Sequence, residues 1–511
     1  MANTKENKEL DNYLKLLVKS SFIIFIGIFI SKILAYFYRI VIAREFGPEI
    51  YGIFSFAIMI MAWFITIFSL GIIDGIIRFI SIYRGKNEKD KIKYLVKLSS
   101  TFLLISGIIA GLIMYFSASY ISINLFHNEN LISFIKWLGI FLPVYLFASF
   151  FLSVLQAYEK ITWYSFIRNI LDNGIKLLAI IIFIWIGFNS KNAVIYSYIL
   201  GFVSMFLLSF YLCTYKIPEL FKKYKLKSED KNIIRKDLFS YSWPLVFSGM
   251  IATILTQIDS FAIGYYNNAA QVGIYNTAVP IASLLGVIPS LLIPLFFPII
   301  TKEFSRNNKE LIKGLTKQFG KWVFIFNLPF FIIMIFFPGA IINLFFGPSY
   351  IAAENSLRLL SIGFLFYSIF IISENTLSMA GKTKIILLDI TIASILNLVL
   401  NIIFVQKYGI NGAALATMIS YIVWGLLSFF QSNHYVSIIP IKRKMLKILL
   451  ISIIPTILLF IIKQFIQLNK ITLILQGCLF FLVYFLLIII TGCLDKNDWM
   501  IIETVKDKIR L

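Results

Sequence analysis

Ile50-Tyr51-Gly52-Ile53-Phe54 recurs, with conservative changes, as Gln271-Val272-Gly273-Ile274-Tyr275, 221 residues further on. Working outward, Ile123-Asn124-Leu125-Phe126 recurs as Ile342-Asn343-Leu344-Phe345 at an offset of 219, and Gly187-Phe188-Asn189 as Gly409-Ile410-Asn411 at 222. Three matches in the same order at a nearly constant offset identify an internal duplication. Each copy sits in strongly apolar sequence. The chain is 59% hydrophobic over 511 residues, with a mean hydropathy of +0.87, well above the ~45–50% apolar content of a soluble domain. The bilayer is therefore the solvent.

A spanning helix needs roughly 20 mostly apolar residues. Fourteen stretches qualify, at 17–38, 51–80, 98–118, 131–155, 162–187, 192–213, 240–266, 272–300, 320–337, 353–380, 385–406, 411–432, 446–468 and 471–494. The apolar run from Ser21 to Ile30 leads straight into Lys32 and more helix without a small-residue cleavage site, so it reads as a retained span. With the N-terminus placed in the cytoplasm, 35 of the 47 Lys and Arg fall in cytoplasmic segments, 5 outside and seven within spans. That asymmetry predicts cytoplasmic N- and C-termini and accounts for most of the net charge of +22. A topological origin of the charge argues against nucleic acid as a partner. It leaves membrane lipids as the natural neighbours of the basic loops.

The duplicated unit contains six spans. An even number returns the chain to its starting side, so the copies are parallel and related by a pseudo-two-fold axis along the membrane normal. The expected fold is an all-α polytopic membrane protein of 14 transmembrane helices: two parallel six-helix lobes plus two C-terminal helices. The predicted divisions are an N-lobe at 1–215, a basic cytoplasmic linker at 216–239, a C-lobe at 240–436, and the last two spans with a cytoplasmic tail at 437–511. Two lobes facing each other are the architecture of alternating access.

The chemistry is carried by charges inside the spans. Lys32, Arg39, Arg78, Lys136, Arg168, Lys176 and Arg358 lie within apolar stretches, six of the seven in the first half. A charge at mid-bilayer costs at least ~2.5–3.5 kcal/mol, so it is rarely left facing lipid. A cluster of one sign calls for an interior cavity and an anionic guest. Lys32 and Arg39 are seven residues apart on one helical face, and Arg168, Asp172 and Lys176 step by four along another. Asp74–Arg78 and Glu354–Arg358 are also four apart, a spacing at which the two charges can simply neutralise each other. One Asp172 cannot neutralise both Arg168 and Lys176, which leaves one of them for a ligand. Charges near span ends, Arg39, Lys136 and Arg168, can instead snorkel to the interface. The candidate substrate-binding set is Lys32, Arg39, Arg78, Arg168, Lys176 and Arg358.

Intramembrane acids are Asp74, Asp172, Asp259, Glu354, Glu374 and Asp389. Asp259 has no basic residue four positions away, which makes it the first candidate for coupling to Na+ or H+, with Asp74 the second. Asn169, Asn173, Gln257, Asn397 and Asn401 could meet sugar hydroxyls, although amides in spans commonly glue helices together. The two histidines and three cysteines are too scattered for a metal site, and no organic cofactor is expected.

Two stretches now carry a resemblance. Ala43-Arg44-Glu45-Phe46-Gly47-Pro48-Glu49-Ile50-Tyr51-Gly52, followed by Leu70-Gly71-Ile72-Ile73-Asp74-Gly75-Ile76-Ile77-Arg78-Phe79, resembles the opening of prokaryotic polysaccharide exporters. Tyr408-Gly409-Ile410-Asn411-Gly412-Ala413-Ala414-Leu415-Ala416-Thr417 resembles their C-terminal repeat. The family is the oligosaccharide-lipid flippase (Wzx-type) branch of the multidrug/oligosaccharidyl-lipid/polysaccharide superfamily. Spans thirteen and fourteen fit the flippase branches, lipid II flippases included, since drug-efflux members typically have twelve. The resemblance implies a transporter, not an enzyme. It would move an undecaprenyl- or dolichyl-linked oligosaccharide from the cytoplasmic to the outer leaflet of the cell membrane, with a polymerase or chain-length regulator as pathway partners. Competing readings are a cation-coupled multidrug antiporter, which a cationic first lobe disfavours, and a membrane glycan polymerase or ligase, which would need a larger outer catalytic segment.

Overall fold

The structure, a computed structural model, describes residues 2–188, 190–306, 308–465, 470–495 and 498; the side chains of 2–25, 294, 295, 297–299, 302, 305, 463–465 and 470 are outside that description. Asn189 and the basic residues of the C-terminal tail therefore lie outside the described residues, as do the side chains of Lys302, Lys463, Lys470 and the N-tail lysines.

The described chain is helical almost throughout. Helix α1 (Ala2–Phe68) holds the first two predicted spans on either side of Gly47, whose φ of 79° and ψ of 176° break the helix just before Pro48. The second span turns at Leu70 and Gly71, both with positive φ, into α2 (Ile72–Gly85). Next come α3 (Lys89–Tyr120) and α4 (Asn130–Ala157). The fifth span is cut by a π-helical turn, Phe166–Leu171, into α5 (Ile161–Ser165) and α6 (Asp172–Trp185). Helices α7 (Lys191–Lys216), α8 (Ser228–Tyr266), α9 (Ala269–Ser283) and α10 (Val287–Ser305) follow. After them run α11 (Lys309–Phe336), the short α12 (Pro338–Phe345), α13 (Glu354–Met379) and α14 (Thr383–Val436). The last, α14, holds two spans around Gly409 (φ 54°, ψ −132°). The pair α15 (Lys444–Phe465) and α16 (Lys470–Ile490) closes the chain.

Among the described residues eleven helices are long and apolar enough to cross a membrane. Two of them carry two spans each, and the broken fifth span completes the fourteen predicted. The duplication is visible in the backbone as well. Gly187 and Gly409 both have left-handed φ, 77° and 54°, at the junctions after the fifth and eleventh spans. His127 and Gly347 do so, at 49° and 101°, where the third and ninth spans end.

The chain divides into two compact units, one formed by 1–277 and 394–416, the other by 278–393 and 417–511. The first unit thus runs past the predicted linker and takes in the seventh span. Inside it, α2 buries Ile72, Ile76, Ile80 and Tyr83, a stripe at helical spacing, against Ala148, Phe151 and Leu155 of α4 and their neighbours. The opposite face of α2 is left to Asp74 and Arg78, which are both exposed. Lipid tails are as apolar as these side chains, so helices associate in the bilayer by close approach and polar bonds. Gly111 and Gly139 supply that approach between α3 and α4: a Cβ on Gly111 would stand 2.5 Å from the Gly139 carbonyl oxygen.

In the second unit the terminal pair is docked on α11. Phe324, Leu328 and Ile332 pack with Ile448 and Leu459 of α15 and Phe480 and Ile488 of α16, and the Tyr484 hydroxyl donates to the Ile325 carbonyl at 2.9 Å.

Candidate functional site

Spans one and five carry the unneutralised cations. Lys32 and Arg39 lie on α1, about 10 Å apart along its axis at ~1.5 Å per residue, and close enough for their charges to repel. Lys32 is exposed and Arg39 half-buried. Arg39 is within hydrogen-bonding reach of Tyr51, whose own hydroxyl donates to the Asn276 carbonyl at 3.1 Å. The neighbour of Lys32, Ser31, accepts from Asn173 of α6 at 3.0 Å, which ties spans one and five together at that level. Asn169 donates to Ser165 at 3.1 Å. Asn173 therefore acts as helix glue, while the Asn169 bond stays within span five.

On span five the charges separate into two roles. Lys176 is buried, 4% exposed, and forms a closed pair with Asp172 at 2.7 Å. Its ammonium also sits 4.1 Å from the centre of the Tyr198 ring and 4.8 Å from Phe202. In an unbroken α-helix Arg168 would lie over the same carboxylate. The wider π-turn that contains Arg168 offsets it from that stripe, and it emerges exposed with no ion pair among the described residues.

The other candidates are held individually. Arg78 makes no ion pair with Asp74; its guanidinium lies over the Tyr241 ring of α8 at 4.4 Å, with Phe79 at 6.0 Å. Lys136 sits over Tyr115 at 5.2 Å. Arg358, in the second unit, pairs with Glu354 at 3.8 Å and donates to the Ile335 carbonyl at 3.1 Å and to Asn355 at 2.5 Å. Of the intramembrane cations, Lys32, Arg39 and Arg168 thus remain without an ion pair or a covering ring among the described residues. An anion brought to spans one and five meets guanidinium forks that suit bidentate phosphate contacts.

Asp259 of α8 is buried and accepts from the Tyr275 hydroxyl and from Asn401 at 2.8 Å. Both donors are uncharged, and Asn401 lies in the segment of α14 that belongs to the first unit. In the second unit, Asp389 is fully buried and accepts from Gln431 at 2.7 Å.

One charged network was not legible beforehand. Lys321, read from sequence as part of a basic loop, is 0% exposed. It binds Asp495 at 2.8 Å and also Asp498, which in turn accepts from Gln318 and from the Trp322 indole at 2.7 Å. Lys442 reaches Asp495 at 2.5 Å, and Lys444 closes the same cluster. Burial works to raise the Asp495 carboxyl, but hydrogen bonds from Lys321, Lys442 and Lys444 outweigh it and hold it well below the usual carboxylate range. The only sequence signal was the pair of acids after the last span, and it names no partners.

A sequence model of the polysaccharide biosynthesis protein family matches residues 17–304, and one described as MatE matches 244–403. The chain is 25% identical to the uncharacterized membrane protein MJ1068 of Methanocaldococcus jannaschii, covering 90% of this chain and 92% of that one. It is 26% identical to a putative O-antigen transporter of Shigella flexneri, over 76% and 90% of the two chains. Among solved structures, lipid II flippase MurJ in an inward closed conformation superposes with a TM-score of 0.71 at 21% identity, covering 90% of this chain and 97% of that chain.

Proposed function

Because the chain belongs to the polysaccharide biosynthesis protein family, within the multidrug/oligosaccharidyl-lipid/polysaccharide transporter superfamily, we propose that it flips a lipid-linked oligosaccharide from the cytoplasmic to the outer leaflet of the cell membrane. The observation that carries this reading is the set Lys32, Arg39 and Arg168, three cations on tied spans with no carboxylate to neutralise them among the described residues. Such a set suits the phosphate or pyrophosphate that joins lipid to sugar. Charge-assisted hydrogen bonds to that group offset part of its desolvation, while the lipid tail stays in the bilayer. Lys176 acts one step back: its closed pair with Asp172 fixes span five. Arg78, held over Tyr241, lies along the same first unit as a later contact.

Transport proceeds by alternating access between the lobes at 1–215 and 240–436, joined by the linker at 216–239, with both termini cytoplasmic. Asp259 is the proposed coupling carboxylate for Na+ or H+, since its oxygens are already gathered by neutral donors from two other elements. A polymerase of the same pathway would take the exported product. The name of the Shigella flexneri relative, a putative O-antigen transporter, supports the cargo class.

The MatE match over 244–403 favours one alternative, a cation-coupled drug antiporter. The two readings separate in proteoliposomes. A flippase makes lipid-linked oligosaccharide accessible at the opposite leaflet; an antiporter exchanges an organic cation for Na+ or H+ and leaves the lipid in place.

A further inference from the structure

After α7 the chain makes a short turn at Pro218–Phe221 and then runs extended past the start of α3. It is fastened there by the Lys225 amide donating to Asp90 at 3.3 Å and by an edge-to-face contact of Tyr224 with Tyr94 at 5.6 Å. Between this segment, α3 and α4 lies a groove of about 660 Å³. Its wall is apolar and aromatic, with Phe147, Phe150 and Phe151, and these rings continue through Phe206 and Phe210 of α7. Its rim is Lys93, Lys97, Lys222 and Lys223.

The rim is neutralised from within only at Lys93, which pairs with Asp90 at 2.7 Å. Lys97 lies 5.8 Å from the Tyr224 ring centre, and Lys97, Lys222 and Lys223 make no ion pair among the described residues. The inward bias of basic residues explains why lysines populate this face of the protein. It does not explain why three unpaired ones converge on one aromatic groove.

We propose that this groove is a binding site for one anionic phospholipid of the adjoining leaflet. The phosphate sits among Lys97, Lys222 and Lys223, and the start of an acyl chain lies along Phe147, Phe150 and Phe151. The bound lipid bridges the segment after α7 to α3 and α4, so it braces the linker between the duplicated halves. The site is remote in sequence from Lys32, Arg39 and Arg168, and it stands whatever the cargo is.

The test uses the delipidated full-length protein in neutral detergent, titrated with phosphatidylglycerol or phosphatidylcholine and read by native mass spectrometry. Wild type retains one phosphatidylglycerol in preference to phosphatidylcholine. Each lysine is worth about fivefold, so K97Q/K222Q/K223Q loses roughly a hundred-fold in apparent affinity. The exposed single change Lys222→Gln, which leaves the fold untouched, loses about fivefold. A matched variant, K225Q/K227Q/K309Q, removes the same charge outside the groove and keeps wild-type affinity. Equal loss in the matched variant would show diffuse attraction and overturn the site. So would equal retention of phosphatidylcholine, or complete displacement of phosphatidylglycerol by millimolar inorganic phosphate, which would mark a free-anion site.

Discussion

Gly52 and Gly273, equivalent positions of the two repeats, meet backbone to backbone. A Cβ on Gly52 would fall 1.7 Å from the Ala269 carbonyl oxygen, and a Cβ on Gly273 would fall 2.1 Å from that of Pro48. Pro48 and Ala269 are themselves 221 residues apart, as are Gly52 and Gly273. The contact is therefore reciprocal, as a two-fold relation between repeats requires. Either Gly→Ala change should cost about 1–3 kcal/mol through overpacking and lower the midpoint of thermal unfolding in detergent. Gly314→Ala, where nothing lies within 4 Å, should leave it unchanged.

The cluster around Lys321 should behave as a latch for the terminal helix pair. Lys321→Met leaves Asp498 and Asp495 short of a buried cation and should destabilise by roughly 3–5 kcal/mol, the usual cost of breaking a buried pair from one side. Limited proteolysis would detect it as faster cleavage between α14 and α15.

That latch also has a pH signature. The folded Asp495 carboxyl is depressed below its ordinary 3.8. Its contribution to stability is therefore complete above that value and is lost as pH falls through the range beneath it. Thermal stability should drop below about pH 4 in wild type, and this component should be missing in Asp495→Asn.

Lys176 and Arg168 should separate by role. Lys176→Gln strands the half-buried Asp172 and should lower stability, and Asp172→Asn added to it should restore part of the loss. Arg168→Gln, at an exposed unpaired position, should leave the unfolding midpoint in place and reduce transport. A double-mutant cycle read by thermal unfolding and by flipping would resolve the two.

What the sequence made legible follows from physics with short range. Length, hydropathy and loop charge fixed the fourteen spans, because spanning helices satisfy their own backbone. The duplication could be read because Gly52, Gly273, Gly187 and Gly409 occupy positions where a side chain or an ordinary φ does not fit. The neutralisation of Arg358 by Glu354 was among the expected alternatives, since its partner is one turn away. By contrast, the π-turn at 166–171 is a change of backbone hydrogen-bond register and leaves no mark in side-chain spacing, so it was not foreseen that Arg168 would leave the stripe of Asp172 and Lys176. Asn401, which binds Asp259, and Asp498, which binds Lys321, stand 142 and 177 residues away from them, and no periodicity reports such contacts. Lys321, Lys442 and Lys444 consequently read as loop charges when they are parts of a buried network.

The central claim is that cations of spans one and five carry an anionic lipid-linked sugar across the bilayer. The direct measurement is flipping of a fluorescent lipid-linked oligosaccharide in proteoliposomes, scored by its accessibility at the opposite leaflet. Each charge-assisted contact is worth about 1.5–3 kcal/mol, so K32Q/R39Q/R168Q should slow flipping by at least about tenfold while unfolding at the wild-type temperature. An unchanged rate in that variant, with wild-type protein active alongside, would contradict the account.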